Sequence, residues 1–221
     1  MRKYRKRTYK KKKRYARKRK APMGKSMGFP KERTVTLRYV DYIASASSIG
    51  AMSKQQFRAN SIYDPNFTST GHQPYCFDQW SLFYNHYQVI SSKINVQFCP
   101  KNDNASVAPS VVGIYLSDDT TIFSDWGTIA ETGRGPVKLL SAYPSDKITS
   151  LSTSFNLKKF FNRSADPGAT SALVSTNPTE EAYFNIWYQA MDQAATTPVI
   201  QGKVTIDYKV RFFEPKDLTG S

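Results

Sequence analysis

The sequence predicts an all-β fold: an eight-stranded antiparallel jelly-roll sandwich with one short helix, preceded by a disordered basic N-terminal arm. Three observations predict it. Period-two alternation of apolar and polar residues recurs along residues 32–215. A single stretch carries an apolar stripe at helical spacing. The charge is confined to one end. The opening MRKYRKRTYKKKKRYARKRK holds 14 Lys or Arg and no acid, out of 32 basic and 17 acidic residues in the chain. That leaves 18 basic against 17 acidic residues elsewhere, so the net charge of +15 is almost entirely one segment.

The strands follow in order. Residues 33–43 (RTVTLRYVDYI) put Val35, Leu37 and Tyr39 on one side and Thr34, Thr36 and Arg38 on the other. Residues 56–63 (QFRANSIY) form a less regular strand, ended by Asp64-Pro65, because proline cannot donate to a ladder. The one helix is expected over residues 77–84 (FDQWSLFY). Phe77, Trp80 and Tyr84 share a face there, and Asp78 is placed to cap the first turn. Residues 87–98 alternate in their second half, with Ile94, Val96 and Phe98 inward and Lys93, Asn95 and Gln97 outward. Residues 111–116 (VVGIYL) are apolar on both faces and read as a central strand.

Residues 118–135 are expected to be a loop, with a helical turn at 126–129. Residues 137–143 and 148–156 read as two strands about a Pro144-Ser145-Asp146 turn. Residues 163–179 read as a long loop, and 182–190 (AYFNIWYQA) as an aromatic strand. The clearest strand is 203–213. Val204, Ile206, Tyr208, Val210 and Phe212 face one way, and Lys203, Thr205, Asp207, Lys209 and Arg211 the other. Strands without intervening helices argue for an antiparallel sandwich or barrel. Eight of them with long loops favour the jelly roll, since an immunoglobulin-like sandwich holds its strands in about 100 residues.

The arm is too charged and too poor in apolar surface to fold alone. Its partner is a polyanion: each cation that neutralises a phosphate releases counterions, giving strong, sequence-independent binding. The predicted nucleic-acid contacts are Arg2, Lys3, Arg5, Lys6, Arg7, Lys10, Lys11, Lys12, Lys13, Arg14, Arg17, Lys18, Arg19 and Lys20. Tyr4, Tyr9 and Tyr15 between them either stack on unpaired bases or serve as spacers. The same residues fit a nuclear localisation signal. Residues 21–30 lack the apolar stretch of a secretory signal, and no run is long enough for membrane insertion.

No catalytic residue is predicted. Gly24-Lys25-Ser26 mimics the end of a phosphate loop, but Arg19 stands where the first glycine belongs. His72 and His86 are isolated, and structural hydrogen-bonding roles are expected for both. No cofactor or metal is expected. Asp118, Asp119 and Asp125 could hold a hard cation, although loop solubility accounts for them as well. Cys76 and Cys99 can in principle make one disulfide, and two free thiols are the favoured reading.

Residues 62–87 read IYDPNFTSTGHQPYCFDQWSLFYNHY. Asp64-Pro65, Thr70-Gly71-His72-Gln73-Pro74, Phe77-Asp78-Gln79-Trp80 and Tyr84-Asn85-His86-Tyr87 resemble the capsid proteins of circovirus-like, circular Rep-encoding single-stranded-DNA viruses. The basic arm and the closing alternating strand fit the same group. The resemblance implies a homo-oligomer of sixty copies forming an icosahedral shell, with the arm on viral single-stranded DNA. It also implies assembly in the host nucleus, for which nuclear import receptors are the expected further partners. The chain then divides into an arm and linker (1–31), a jelly-roll domain (32–215) and a short tail (216–221). The competing reading is a monomeric or dimeric ribosomal or chromatin-like protein. Such proteins spread cations over the folded surface that meets the nucleic acid.

Overall fold

Alternation decides which face each strand shows, and pairing then builds the layers. The computed structural model describes residues 30–44, 50–100, 109–121, 123–141, 148–161, 167–193 and 199–217. In it the last strand, Ile200–Pro215, is central to one sheet. It buries Val204, Ile206, Tyr208, Val210 and Phe212. β1 (Glu32–Ala44) pairs along one edge of it, from Glu32 opposite Phe213 to Ala44 opposite Gln201. Next come β2 (Ser53–Arg58), helix α1 (Phe77–Ser81) and β3 (Tyr84–Pro100), which takes the other edge of the last strand.

The chain continues through β4 (Ser110–Ser117), α2 (Trp126–Thr132), β5 (Val137–Leu140) and β6 (Thr149–Asn156). It closes with α3 (Leu157–Phe160), α4 (Pro167–Thr170), β7 (Ala172–Leu173), β8 (Tyr183–Ala190) and β9, the last strand. One sheet runs β1-β9-β3-β6, with β7 pairing at the start of β3; the other runs β2-β8-β4-β5. Every pairing is antiparallel. Apart from β4 and β5, no two consecutive strands among the described residues pair with each other. This alternation between two sheets is the jelly-roll topology.

The core lies between the inner faces. Tyr39, Phe57, Phe98, Phe155, Phe184 and Phe212 are fully buried within one cluster. A second, smaller cluster lies on the outer side of the β2-β8-β4-β5 sheet. There Val111, Tyr115, Trp187 and Ile129 of α2 pack together. This explains why 111–116 is apolar on both faces. Trp187 lies opposite Gly113 in the ladder. A β-carbon at Gly113 would sit 2.3 Å from the indole ring, so the position requires glycine.

Several expectations need correcting. The predicted helix stops at Ser81, because Leu82 and Phe83 turn and Tyr84 already enters β3. Asp78 does not cap it: the N-cap position is Cys76, in left-handed backbone (φ 70°) with no side-chain cap. The second strand ends at Arg58 rather than 63. Asn60 accepts a hydrogen bond from the Ala182 amide and donates to the Glu180 carbonyl, drawing the chain out of the ladder. The two strands at 137–156 do not form a hairpin, since β5 pairs with β4 and β6 with β3 in the other sheet. Their Pro144-Ser145-Asp146 connection lies outside the described residues. The expected loop at 163–179 contains α4 and β7, raising the strand count among the described residues to nine. Residues 118–135 do not stand free either, because α2 is packed onto the sheet.

Candidate nucleic-acid interface

All fourteen predicted contact residues, Arg2 to Lys20, lie outside the described residues, as does Gly24-Lys25-Ser26. What is described is the point where they join the body. The Tyr84 hydroxyl donates to the Pro30 carbonyl (3.1 Å), and Glu32 begins β1 two residues later. The junction sits at one end of the β1-β9-β3-β6 sheet, where Glu32, Phe213 and His86 align across three strands. His86 stacks on Phe213 (5.5 Å between centroids), and its Nδ1 lies 2.5 Å from the Glu214 carboxylate. The Arg211 guanidinium covers the same phenyl ring at 5.3 Å.

The outer face of this sheet follows from the register. Arg38, Lys93, Lys203, Lys209 and Arg211 point outward, against the acids Glu32 and Asp207. Asp207 is engaged by Arg38, whose Nε and Nη2 donate to its two oxygens at 2.6 and 3.0 Å. Exposed Lys158 and Lys159 of α3 extend the cationic surface beyond β6. The remaining outward positions on β3 and β6 are largely Ser, Thr, Asn and Gln. Among the described residues, nothing packs an apolar layer over this face.

The other outer face has the opposite character. The segment 118–135 that covers the β2-β8-β4-β5 sheet carries Asp118, Asp119, Asp125 and Glu131 against a single cation, Arg134, and Lys54 donates to its Thr120 carbonyl. Asp125 is the N-cap of α2. It accepts from the Thr128 backbone N–H (2.9 Å) and hydroxyl (2.7 Å). The bond from the Thr128 hydroxyl is the main reason its pKa is lowered. Asp125 therefore has a structural task, and no group of three His, Cys, Asp or Glu among the described residues is placed to hold a metal ion. The near-neutral body is thus a division: a basic bare face and an acidic covered one.

Residues 62–87, which carry the family resemblance, turn out to be framework. Asp64 accepts from Arg58 Nη1 at 2.9 Å, while Arg58 Nε donates to Glu181 at 2.8 Å. His72 stacks on Tyr39 at 4.7 Å, and a β-carbon at Gly71 would lie 2.7 Å from the Tyr39 hydroxyl. That hydroxyl donates to Asp41 (2.6 Å), which also accepts from the Asn66 amide. Trp80 stacks on Phe212 at 5.7 Å, and Phe77 meets Tyr87 edge-on. Tyr84 belongs to the main core, and Trp80 and Phe83 pack against it. Cys76 and Cys99 are free thiols.

Sequence reasoning placed Lys93, Lys203 and Lys209 outward but did not join them into one surface. Their outward position was legible in the alternation. Their adjacency depends on β3 and β9 being neighbours, which alternation does not specify. No helix among the described residues is long and apolar enough to cross a membrane.

The sequence matches no protein-family model and no curated protein. Solved structures with a similar chain path include that of desmodium yellow mottle tymovirus, at 14% identity and a TM-score of 0.44, covering 92% of this chain and 99% of that one. The structure of cocksfoot mottle virus aligns at 10% identity and a TM-score of 0.47, covering 83% and 97%. A T=1 subviral particle of a Penaeus vannamei nodavirus capsid protein deletion mutant aligns at 11% identity and a TM-score of 0.44, covering 81% and 98%.

Proposed function

We propose that the chain is the capsid protein of a circular single-stranded-DNA virus, building a sixty-copy icosahedral shell and holding the genome with its arm. The observation that carries this reading is the charge division. Fourteen cations stand in the first twenty residues, ahead of a jelly-roll body whose own charges nearly cancel. A monomeric nucleic-acid protein spreads most of its excess cations over the folded surface that meets the ligand, whereas here nearly all of the excess stands in the first twenty residues. Here the folded part serves as wall and the arm as tether. Sixty arms would carry roughly 840 positive charges, an electrostatic sink that requires no sequence readout.

The motifs at 64–87 support the single-stranded-DNA assignment, and their framework role suits a subunit whose fold must be reproduced in many copies. The arm also serves as the address read by nuclear import receptors, with assembly in the host nucleus and the virion as the final location. No reaction is assigned to the chain.

Deleting Met1 to Lys20 is the test. The truncated chain is expected to keep its far-UV circular dichroism and its ability to form megadalton particles by light scattering, while losing nuclease-protected DNA. Deletion particles that still carry a full load of protected DNA would refute the role of the arm. A full-length protein that stays at tens of kilodaltons under all assembly conditions would refute the shell.

A further inference from the structure

We infer that a groove on the body is a second binding place for single-stranded nucleic acid, separate from the arm. This deepens the proposed function and rests on it. The groove occupies about 650 Å³ where β3, β6 and β9 meet α3. Lys93, Lys159 and Lys209 line it from three different elements. None of the three ammonium groups has an ion-pair partner among the described residues. The carboxylate on its wall, Asp207, is already held through both oxygens by Arg38. The groove is therefore a cationic hollow whose one acid is neutralised from outside.

Its remaining surface suits a nucleotide chain. The hydroxyls of Thr36, Ser91 and Ser154 line it and make no side-chain hydrogen bond among the described residues, leaving them free for phosphate or sugar oxygens. Half-buried Phe160 forms an apolar wall, held against Phe155 and Phe161 at 5.4 and 5.0 Å, where a base can stack. The hollow does not end there. A second one of about 410 Å³ shares Leu116, Lys159 and Phe160 with it and adds Arg134. Together they form a track of four cations: Lys209, Lys93, Lys159 and Arg134. Only Asp118 adds a further carboxylate along it. A track that combines spaced cations with an aromatic wall fits an extended strand better than a single small anion.

The track also explains a feature the arm leaves over. Charge neutralisation by the arm requires no sequence readout and by itself fixes no place on the wall for the strand. The groove supplies that fixed place: it opens on the bare sheet from which the arm departs and continues past Phe160 to Leu116 and Arg134 beside the end of β4.

The experiment is lysine acetylation of the full-length protein, held in one assembly state, with and without oligo(dT), read residue by residue by mass spectrometry. Lys93, Lys159 and Lys209 are expected to lose modification several-fold on adding oligo(dT), together with the arm lysines, while Lys54 and Lys138 keep theirs. Protection of the arm with unchanged groove lysines would overturn the groove and leave the proposed function standing. An equal fall at every lysine, Lys54 and Lys138 included, would also overturn it. If the arm lysines were unprotected too, the proposed function itself would fail. As a second measurement, K93Q/K159Q/K209Q in the full chain should flatten the dependence of log affinity on log salt by about 2, at roughly 0.7 for each phosphate that is no longer neutralised. An unchanged slope in a variant with an unchanged melting temperature would overturn the inference.

Discussion

The two sheets obey the same alternation rule and reach opposite ends. The β1-β9-β3-β6 sheet buries one face and leaves the other to water, with its cations outward. The β2-β8-β4-β5 sheet buries both faces at its centre: β8 has no exposed residue, and α2 with its flanking segments seals the outside over Trp187 and Val111, while Lys54, Lys138 and Leu139 stay exposed on the edge strands. Some polar side chains on that sealed face are matched to partners, while Trp126 Nε1, Trp187 Nε1 and Asn185 Nδ2 are buried with no hydrogen bond among the described residues. Gln189 accepts from the Trp126 N–H and donates to the Gly50 carbonyl, and the Gln56 amide donates to the Thr120 carbonyl and to Asn185. A bare face keeps its charges hydrated and available to a ligand, whereas on a sealed face every polar group left without a partner costs stability. One sheet therefore offers hydrated charge and the other buried packing.

Substitutions matched across the two sheets can break that contrast. Trp187→Ala on the sealed face removes the largest ring of the second cluster and should cost about 3–5 kcal/mol in urea unfolding. Ser152→Ala, exposed on the bare face, should stay within about 0.5 kcal/mol. Equal effects would mean that the outer cluster contributes little. Next is the ionic pair of positions. Arg58→Leu leaves the mostly buried carboxylates of Asp64 and Glu181 uncompensated, with an expected loss of about 3 kcal/mol.

A smaller effect, common to both sheets, comes from the tyrosines between them. Burial pushes the Tyr87 and Tyr208 hydroxyls above their ordinary value near 10. The unfolded chain releases these protons at about pH 10 while the folded chain keeps them. The stability they hold is thus intact below about pH 10 and falls above it, by about 1.4 kcal/mol per pH unit per tyrosine. Urea midpoints that stay flat between about pH 9 and about pH 11 would show that these hydroxyls ionise freely in the fold. The smallest effect is expected for Arg38→Ala on the bare face. Its ion pair with Asp207 is solvent-exposed, with the arginine side chain 66% accessible, so the unfolding midpoint should not move measurably.

How much of this was legible in the sequence varies from element to element. β9 and β1 were found within a few residues, because their outward Thr, Lys and Arg alternate strictly with inward Val, Ile and Tyr. β4 was identified as a strand covered on both faces from its unbroken apolar run, although its cover, α2, read as one turn in a loop. The pairing of β5 and β6 is not legible, because a short Pro-Ser-Asp connection reads the same whether the chain folds back in one sheet or crosses to the other. The arm's charge was plain from composition. The groove was not, because Lys93, Lys159 and Lys209 lie far apart in the chain.

The sequence by itself determined which residues each strand turns inward, that the body is all-β, and that the charge resides in one arm. These are local quantities, set by side-chain period and composition. The tertiary structure alone decided which strands are neighbours. β1 and β9 pair across the length of the domain, with Arg38 and Asp207 joined at a separation of 169 residues. A strand's hydrogen-bonding edges are nearly the same for any antiparallel partner. The choice therefore falls to how the two sheets close over a shared core, and from that closure came the sealed face, the bare face and the cationic groove.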